Sequence, residues 1–293
     1  MNPKSMKMIK IVLSVLLVLG VSFFVVKGCV HRKPVHRGEI SQRQLVTRRV
    51  VHKKNISQKE EAVQVVTPSQ ETPEGPRMAI ILDDWGNNFA LTALAIELHR
   101  PITLSILPHL PQSEKIAEEA FTNHLGVMLH MPMQPKNKVK GLEPHTIRLT
   151  TSDADIVVFL DRALESVPHA EGVNNHMGSA ATSDARVMKT VLSHLLSKGL
   201  FFIDSNTAPS SVAPQVAEEL KIKFTKRDVF IDNDVDPEAI KKQLEKAKAI
   251  ALKHGRVVVI GHDKKVTLTV IKEMIPEIEQ AGVRFVLAKD LVE

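Results

Sequence analysis

Five short apolar runs in the last two-thirds of the chain each close on a carboxylate or a histidine: IILDD on Asp83 and Asp84, VMLH on His130, GVNNH on His176, FFID on Asp204 and VVVIGH on His262. A short apolar run that ends at once in a polar group reads as a strand buried on both faces, the condition of strands in a parallel sheet. Folds built on such sheets keep their active sites at the carboxyl edge of the strands. One pattern therefore constrains both the architecture and the place of the chemistry.

From Arg77 onward strands alternate with helices. Strands are expected near 78–83, 102–107, 126–130, 172–175, 201–204, 224–227, 257–261 and 284–288. Between them, segments such as 91–99, 113–121, 185–199, 237–255 and 266–282 carry apolar residues at three- and four-residue spacing, and Gly closes three of them. Seven or eight βα units over residues 77–293 point to an α/β fold, a distorted (β/α) barrel. A doubly wound open sheet is the alternative, because the pattern does not say whether the sheet closes. No GxGxxG or Walker glycine loop follows any strand, which argues against a nucleotide cofactor.

The N-terminal quarter differs in character. It holds 13 of the 39 Lys/Arg and 5 of the 33 Asp/Glu within residues 1–76, leaving 26 against 28 for the rest, so the folded part is about neutral. The net charge of +6 is thus no sign of nucleic-acid binding by the domain. Lys4, Lys7 and Lys10 precede an uncharged apolar run at 11–26. Residues 1–29 are expected to be a membrane anchor or a signal segment, with a run somewhat short of the about 20 residues of a full span. The tripeptide before Cys29 resembles a lipobox only weakly, since Lys27 stands close to the cysteine. Residues 30–76 are rich in Arg, Lys, Gln, Ser, Thr and Glu, end in TPSQETPEGP and read as a flexible basic linker. Its basic cluster from Arg32 to Lys54 suits contact with anionic lipid or wall polymers. This layout suggests a bacterial envelope protein, periplasmic or otherwise outside the cytoplasm, held at the membrane or secreted.

The strand-end residues suggest metal chemistry. On a regular strand, neighbouring side chains point to opposite faces, so Asp83 and Asp84 are expected to divide their roles: one a metal ligand, the other a base or an orienting group. Carboxylate and imidazole donors suit Zn²⁺ or a similar divalent ion with positions open for water. Such an ion acidifies water and polarises a carbonyl, and His262 is placed to protonate a leaving group. Asp204 is equally a candidate cap for the loop after it. His99, His124, His145, His169, His194 and His254 fall in or beside helices or loops and are set aside. A single Cys excludes a disulfide framework, and with no Tyr and one Trp an aromatic platform for sugars is not expected.

Seven segments in order carry a family resemblance: IILDDWG (80–86), ITLSILP (102–108), GVMLHMPMQP (126–135), GVNNHMGSAAT (172–182), FFIDS (201–205), KRDVFIDN (226–233) and VVVIGH (257–262). Together they resemble the divergent polysaccharide deacetylases, the YibQ-like branch related to NodB-type carbohydrate esterases. The resemblance implies a NodB-like barrel over 77–293 with a divalent metal site. Asp83 corresponds by position to the base, Asp84 and His130 to metal ligands, and His262 to the late histidine acting as acid. Family members place a second histidine four residues after the first, where this chain has Gln134, and His176 is the candidate replacement. The family's Arg-Pro-aromatic motif is also missing, and Asn174, Asn175, Arg227 and Asp232 are candidates to support the site by hydrogen bonding.

The implied function is removal of N- or O-acetyl groups from an envelope polysaccharide or peptidoglycan. The alternatives are a catalytically weak, metal-containing envelope module that binds glycan or a protein, and a hydrolase of another amide or a phosphoester. The stretch from Met131 to Ser152 is expected to act as a lid or to contact substrate.

Overall fold

The computed structural model describes residues 75–293. The expected anchor or signal segment, 1–29, and the expected linker up to residue 74 lie outside the described residues. Among the described residues no helix is long and apolar enough to cross a membrane.

The fold is a distorted (β/α) barrel. Its strands are β1 (Arg77–Trp85), β2 (Thr103–Ile106), β3 (Gly126–Met133), β4 (Gly172–Met177), β5 (Phe201–Asp204), β6 (Phe224–Lys226), β7 (Val229–Phe230), β8 (Arg256–His262) and β9 (Arg284–Val286). All pairings between them are parallel, in the order β6-β5-β4-β3-β2-β1-β8-β7, and β9 pairs with the start of β1. The helices are α1 (Ala90–Ile96), α2 (Ser113–Thr122), α3 (Asp153–Ser166), α4 (Ala185–Ser197), α5 (Ala213–Leu220), α6 (Pro237–His254) and α7 (Lys265–Gln280).

The two ends of the strand path, β6 and β7, are consecutive in the chain, so the ring closes covalently through Arg227 and Asp228. Arg227 N–H donates to Asp204 O on one side of this seam, and Asp228 N–H donates to Val258 O on the other, each at 2.9 Å. The expected strand at 224–227 therefore stops one residue early, and the short β7 beyond it carries no sequence signal long enough to read. At the opposite extreme, β3 runs three residues past His130, which places Met131–Met133 in the wall and not in the expected lid.

Local sequence explains the helices. α4 buries Val187, Met188, Val191, Leu192 and Leu195 along one stripe, and Asp184 caps it by accepting from Val187 N–H at 2.9 Å. α6 starts with Asp236 as cap and Pro237 in the first turn, and stops at Gly255, whose φ of +78° is costly for any residue with a side chain.

Side chains alternate across the sheet and build two cores. The outward set packs against the helices and includes Met78, Ile80, Leu82, Leu129 and Val173. The inward set fills the barrel with Ala79, Ile81, Met128, Phe201, Ile203, Val258 and Ile260, joined by Ala288 and Leu291 of a C-terminal 3-10 turn. Space inside is tight enough that Gly126 and Gly172 are required: an added Cβ would lie 2.6 Å from Thr103 Oγ1 and 2.2 Å from the Phe201 ring, respectively. Gly172→Ala is expected to lower the unfolding free energy by about 1–3 kcal/mol through overpacking. Denaturant titration measures this, and an unchanged midpoint would show that the interior yields more easily than its packing implies.

Candidate metal centre

The inward alternation of Ala79 and Ile81 continues to Asp83, that of Met128 to His130, and that of Val258 and Ile260 to His262. Register then sets their heights. Asp83 pairs with His262 across β1 and β8, His130 with Asn174 across β3 and β4, and Pro132 with His176 one step higher. Asp83, His130, Asn174, His176 and His262 thus meet at the carboxyl mouth of the barrel.

Asp84 reaches the same mouth by a different route, against expectation. Its backbone has φ +67°, and the β1–β2 register shifts between Leu82 and Trp85. This left-handed bulge breaks the alternation, so adjacent carboxylates converge: Asp83 Oδ2 lies 3.6 Å and Asp84 Oδ1 3.3 Å from His130 Nε2. Asp and Asn are the non-glycine residues that tolerate this conformation best.

Three donor atoms form a compact triangle. Asp84 Oδ1 is 3.0 Å from His176 Nδ1 and 3.3 Å from His130 Nε2, and the two histidine nitrogens are 3.2 Å apart. Ligands on bonds of about 2.0–2.1 Å around a tetrahedral ion lie about 3.3 Å from one another, so the triangle has the size of one face of such a set. Asp84 Oδ1 is also buried without a well-formed hydrogen bond. These residues therefore fit a divalent ion, and the side chains of Asp84, His130 and His176 are the ones that would hold it.

Asn174, fully buried, organises the group. Its Oδ1 accepts from His130 Nδ1–H at 2.7 Å and from Ser105 Oγ at 2.5 Å, while its Nδ2 donates to Asp83 Oδ1 at 2.9 Å. The bond to Nδ1 turns Nε2 of His130 toward the carboxylates. Ser105 is a supporting residue not among the expected ones, although a polar side chain inside the apolar run ITLSILP was its signal.

Charge is concentrated here. Burial disfavours the charged form of His130, yet Asp83 and Asp84 outweigh it and raise its pKa to about 9. Burial also acts to raise Asp84, but His130 and His176 hold it well below the usual carboxylate range. Asp83 goes the other way: burial pushes it up despite His130, Asn174 and His262. For His262 burial is again overcome, chiefly by Asp232, and the pKa rises.

His262 has its own support. Asp232 accepts from His262 Nδ1 at 2.8 Å, from its backbone N–H at 2.9 Å and from Thr267 Oγ1 at 2.8 Å. With Nδ1 so engaged, Nε2 faces the mouth, 3.8 Å from Asp84 Oδ2.

The remaining expected residues stand outside this cluster. Asn175, one residue out of phase with Asn174, donates to Met177 O and accepts from Ser205 N–H, tying the ends of β4 and β5 together. Asp204 follows the inward Ile203, faces outward, and binds Asn206 N–H and Ser211 Oγ as a loop cap. Arg227 donates to the carbonyls of Ser205 and Asn206, with its guanidinium 4.8 Å from the Phe230 ring centre. It is Asn174, not Arg227, that bonds Asp83. Gln134 Oε1 accepts from Leu149 N–H, so it props the 134–152 loop.

Asp232 supplies a pH test. Burial raises its pKa, but His262 and Thr267 prevail and lower it overall. Its stabilisation is thus full above the ordinary carboxylate value, about 3.9, and is lost as pH falls through the lower folded value. Asp232→Asn is expected to cost about 1.5–3 kcal/mol at pH 7 by urea titration, with the difference from wild type shrinking below about pH 4. The same difference at pH 7 and pH 3 would contradict a charged role.

Comparisons with known proteins agree with this fold. Residues 80–292 match the model of a family described as divergent polysaccharide deacetylase. An uncharacterized protein of Haemophilus influenzae is 34% identical over 208 residues, 71% of each chain. The uncharacterized protein YibQ of Escherichia coli is 32% identical over 199 residues, which are 68% of this chain and 62%, under two thirds, of that protein. The crystal structure of an uncharacterized protein from Agrobacterium tumefaciens C58 superposes with a TM-score of 0.72 at 19% identity, covering 76% of this chain and 92% of that one, a likeness of fold.

Proposed function

The chain belongs to the divergent polysaccharide deacetylase family, and we propose that it is a metal-dependent hydrolase that removes acetyl groups from an envelope polysaccharide or peptidoglycan. The observation that carries this reading is the triangle of Asp84 Oδ1, His130 Nε2 and His176 Nδ1, with sides of 3.0–3.3 Å, at the mouth of the barrel. Zn²⁺ or a similar divalent ion held there supplies Lewis acidity, polarising the acetyl carbonyl and making water acidic near neutral pH.

The protein's own groups do the rest. Asp83 is the base: burial makes its carboxylate more basic than usual, and Asn174 fixes Oδ1 so that Oδ2 is left to take the proton of the attacking water. His262 is the acid: Asp232 holds Nδ1, favours the protonated ring and directs Nε2 to the mouth, where it protonates the departing amine or hydroxyl as the C–N or C–O bond breaks. The products are acetate and a free amino or hydroxyl group. Ser105 and Asn174 set the His130 tautomer and thereby the ligand geometry.

In this reading the enzyme works outside the cytoplasm, and the basic-then-apolar layout of residues 4–26 supports export or membrane attachment.

The test is acetate release by the full chain with Zn²⁺ on N-acetylated glucosamine oligomers and acetylated peptidoglycan. His262→Ala is expected to lower kcat/KM by about 100-fold or more while metal binding is kept, and His130→Ala to abolish both. Binding of metal and glycan with no acetate released would shift the assignment to a catalytically weak binding module. A product other than acetate would assign a different hydrolase.

A further inference from the structure

Glu143 sits in the loop between β3 and α3, in a stretch with no periodic pattern, yet the loop is built around it. Ile147 is fully buried and bridges to Met133, its N–H donating to Pro132 O while Gln134 N–H donates back to Ile147 O. One residue before Ile147, Thr146 Oγ1 donates to the carbonyl of Glu143, three residues back, at 2.6 Å. Leu149 N–H is held by Gln134 Oε1 at 2.9 Å. This anchored turn carries the Glu143 carboxylate over the mouth, with Oε1 3.4 Å from His176 Nε2.

The far nitrogen of His176 is the informative one. Its Nδ1 already faces Asp84 and His130, and its Nε2 is buried without a hydrogen-bond partner. Glu143 Oε2 is likewise buried and unpartnered. An imidazole that gives Nδ1 to a cation carries its proton on Nε2, and that N–H needs an acceptor. For His130 the equivalent acceptor is Asn174 Oδ1, at 2.7 Å.

Building on the metal-centre reading above, we propose that Glu143 is a positioning residue for His176: its carboxylate selects the tautomer with the proton on Nε2, presents Nδ1 to the ion, and ties the 134–152 loop to the metal centre. The two histidine ligands are then oriented by different means, one by a neutral amide from the barrel wall and the other by a charged carboxylate from a loop. Loop position and metal affinity become linked, because displacing the loop removes the acceptor of a ligand.

Zinc affinity of the full chain, measured by competition with a chromogenic chelator, tests this together with the solvent exchange of the His176 Nε2–H proton in the zinc-loaded protein, read by NMR. Glu143→Ala is expected to weaken zinc binding by about 10–100-fold and to speed that exchange, with the thermal midpoint of the zinc-free protein unchanged. Glu143→Gln, which keeps an acceptor oxygen, is expected to recover most of the affinity. Wild-type affinity in Glu143→Ala would overturn the proposal while leaving the metal centre in place. Equal losses in both variants with a fall in the zinc-free midpoint would reduce Glu143 to a structural part of the loop and also overturn it. Failure of the wild type to bind zinc would overturn the metal-centre reading itself, and the proposal with it.

Discussion

The site depends on one backbone irregularity. At Asp84 the strand leaves its regular conformation for φ +67°, and the register with β2 shifts across it. Without that bulge the side chain of residue 84 would point to the helix side of the sheet, and of the two adjacent carboxylates only Asp83 would face the mouth. With it, Asp83 stays inside the barrel wall, bonded by Asn174, while Asp84 projects over the rim toward His130, His176 and His262. Two chemically identical neighbours thus acquire opposite proton affinities, one raised by burial and one lowered by two histidines. Such a split is what acid-base and metal-ligand roles require of a carboxylate pair.

The rest of the centre follows from parallel pairing. Because β1, β3, β4 and β8 run in the same direction, their carboxyl ends arrive together, and period-two alternation brings every second residue to the interior. The register between β3 and β4 sets His130 beside Asn174 and lifts His176 two residues higher. That step lets the His176 ring reach back toward Asp84 while Asn174 works below. The loop carrying Glu143 closes over this arrangement from β3, whose extension to Met133 supplies its anchor.

Legibility in the sequence tracks periodicity. Asp83, His130 and His262 could be read because each continues an inward alternation begun by apolar residues, and Asn174 and His176 because they close a short buried strand on the parity of Gly172. The same parity explains why Asn175 and Asp204 serve structure: Asn175 is one step from Asn174, and Asp204 one step from the inward Ile203. Asp84 was expected to diverge from Asp83, since alternation says nothing of a bulge that depends on local backbone strain. Glu143 was beyond reach, being placed by contacts of a loop without any repeat. The distorted (β/α) barrel was legible from the alternation of strands and helices and from the family resemblance, whereas β7, a strand of two residues beyond Arg227 and Asp228, was too short to read.

The central claim is that Asp84, His130 and His176 form one metal centre. Its most direct test is a crystal structure of the zinc-loaded protein with anomalous data collected at the zinc edge. The account predicts a single strong peak about 2.0–2.2 Å from Asp84 Oδ1, His130 Nε2 and His176 Nδ1. Zinc bound away from these three atoms, or no zinc under conditions of stoichiometric loading, would contradict it.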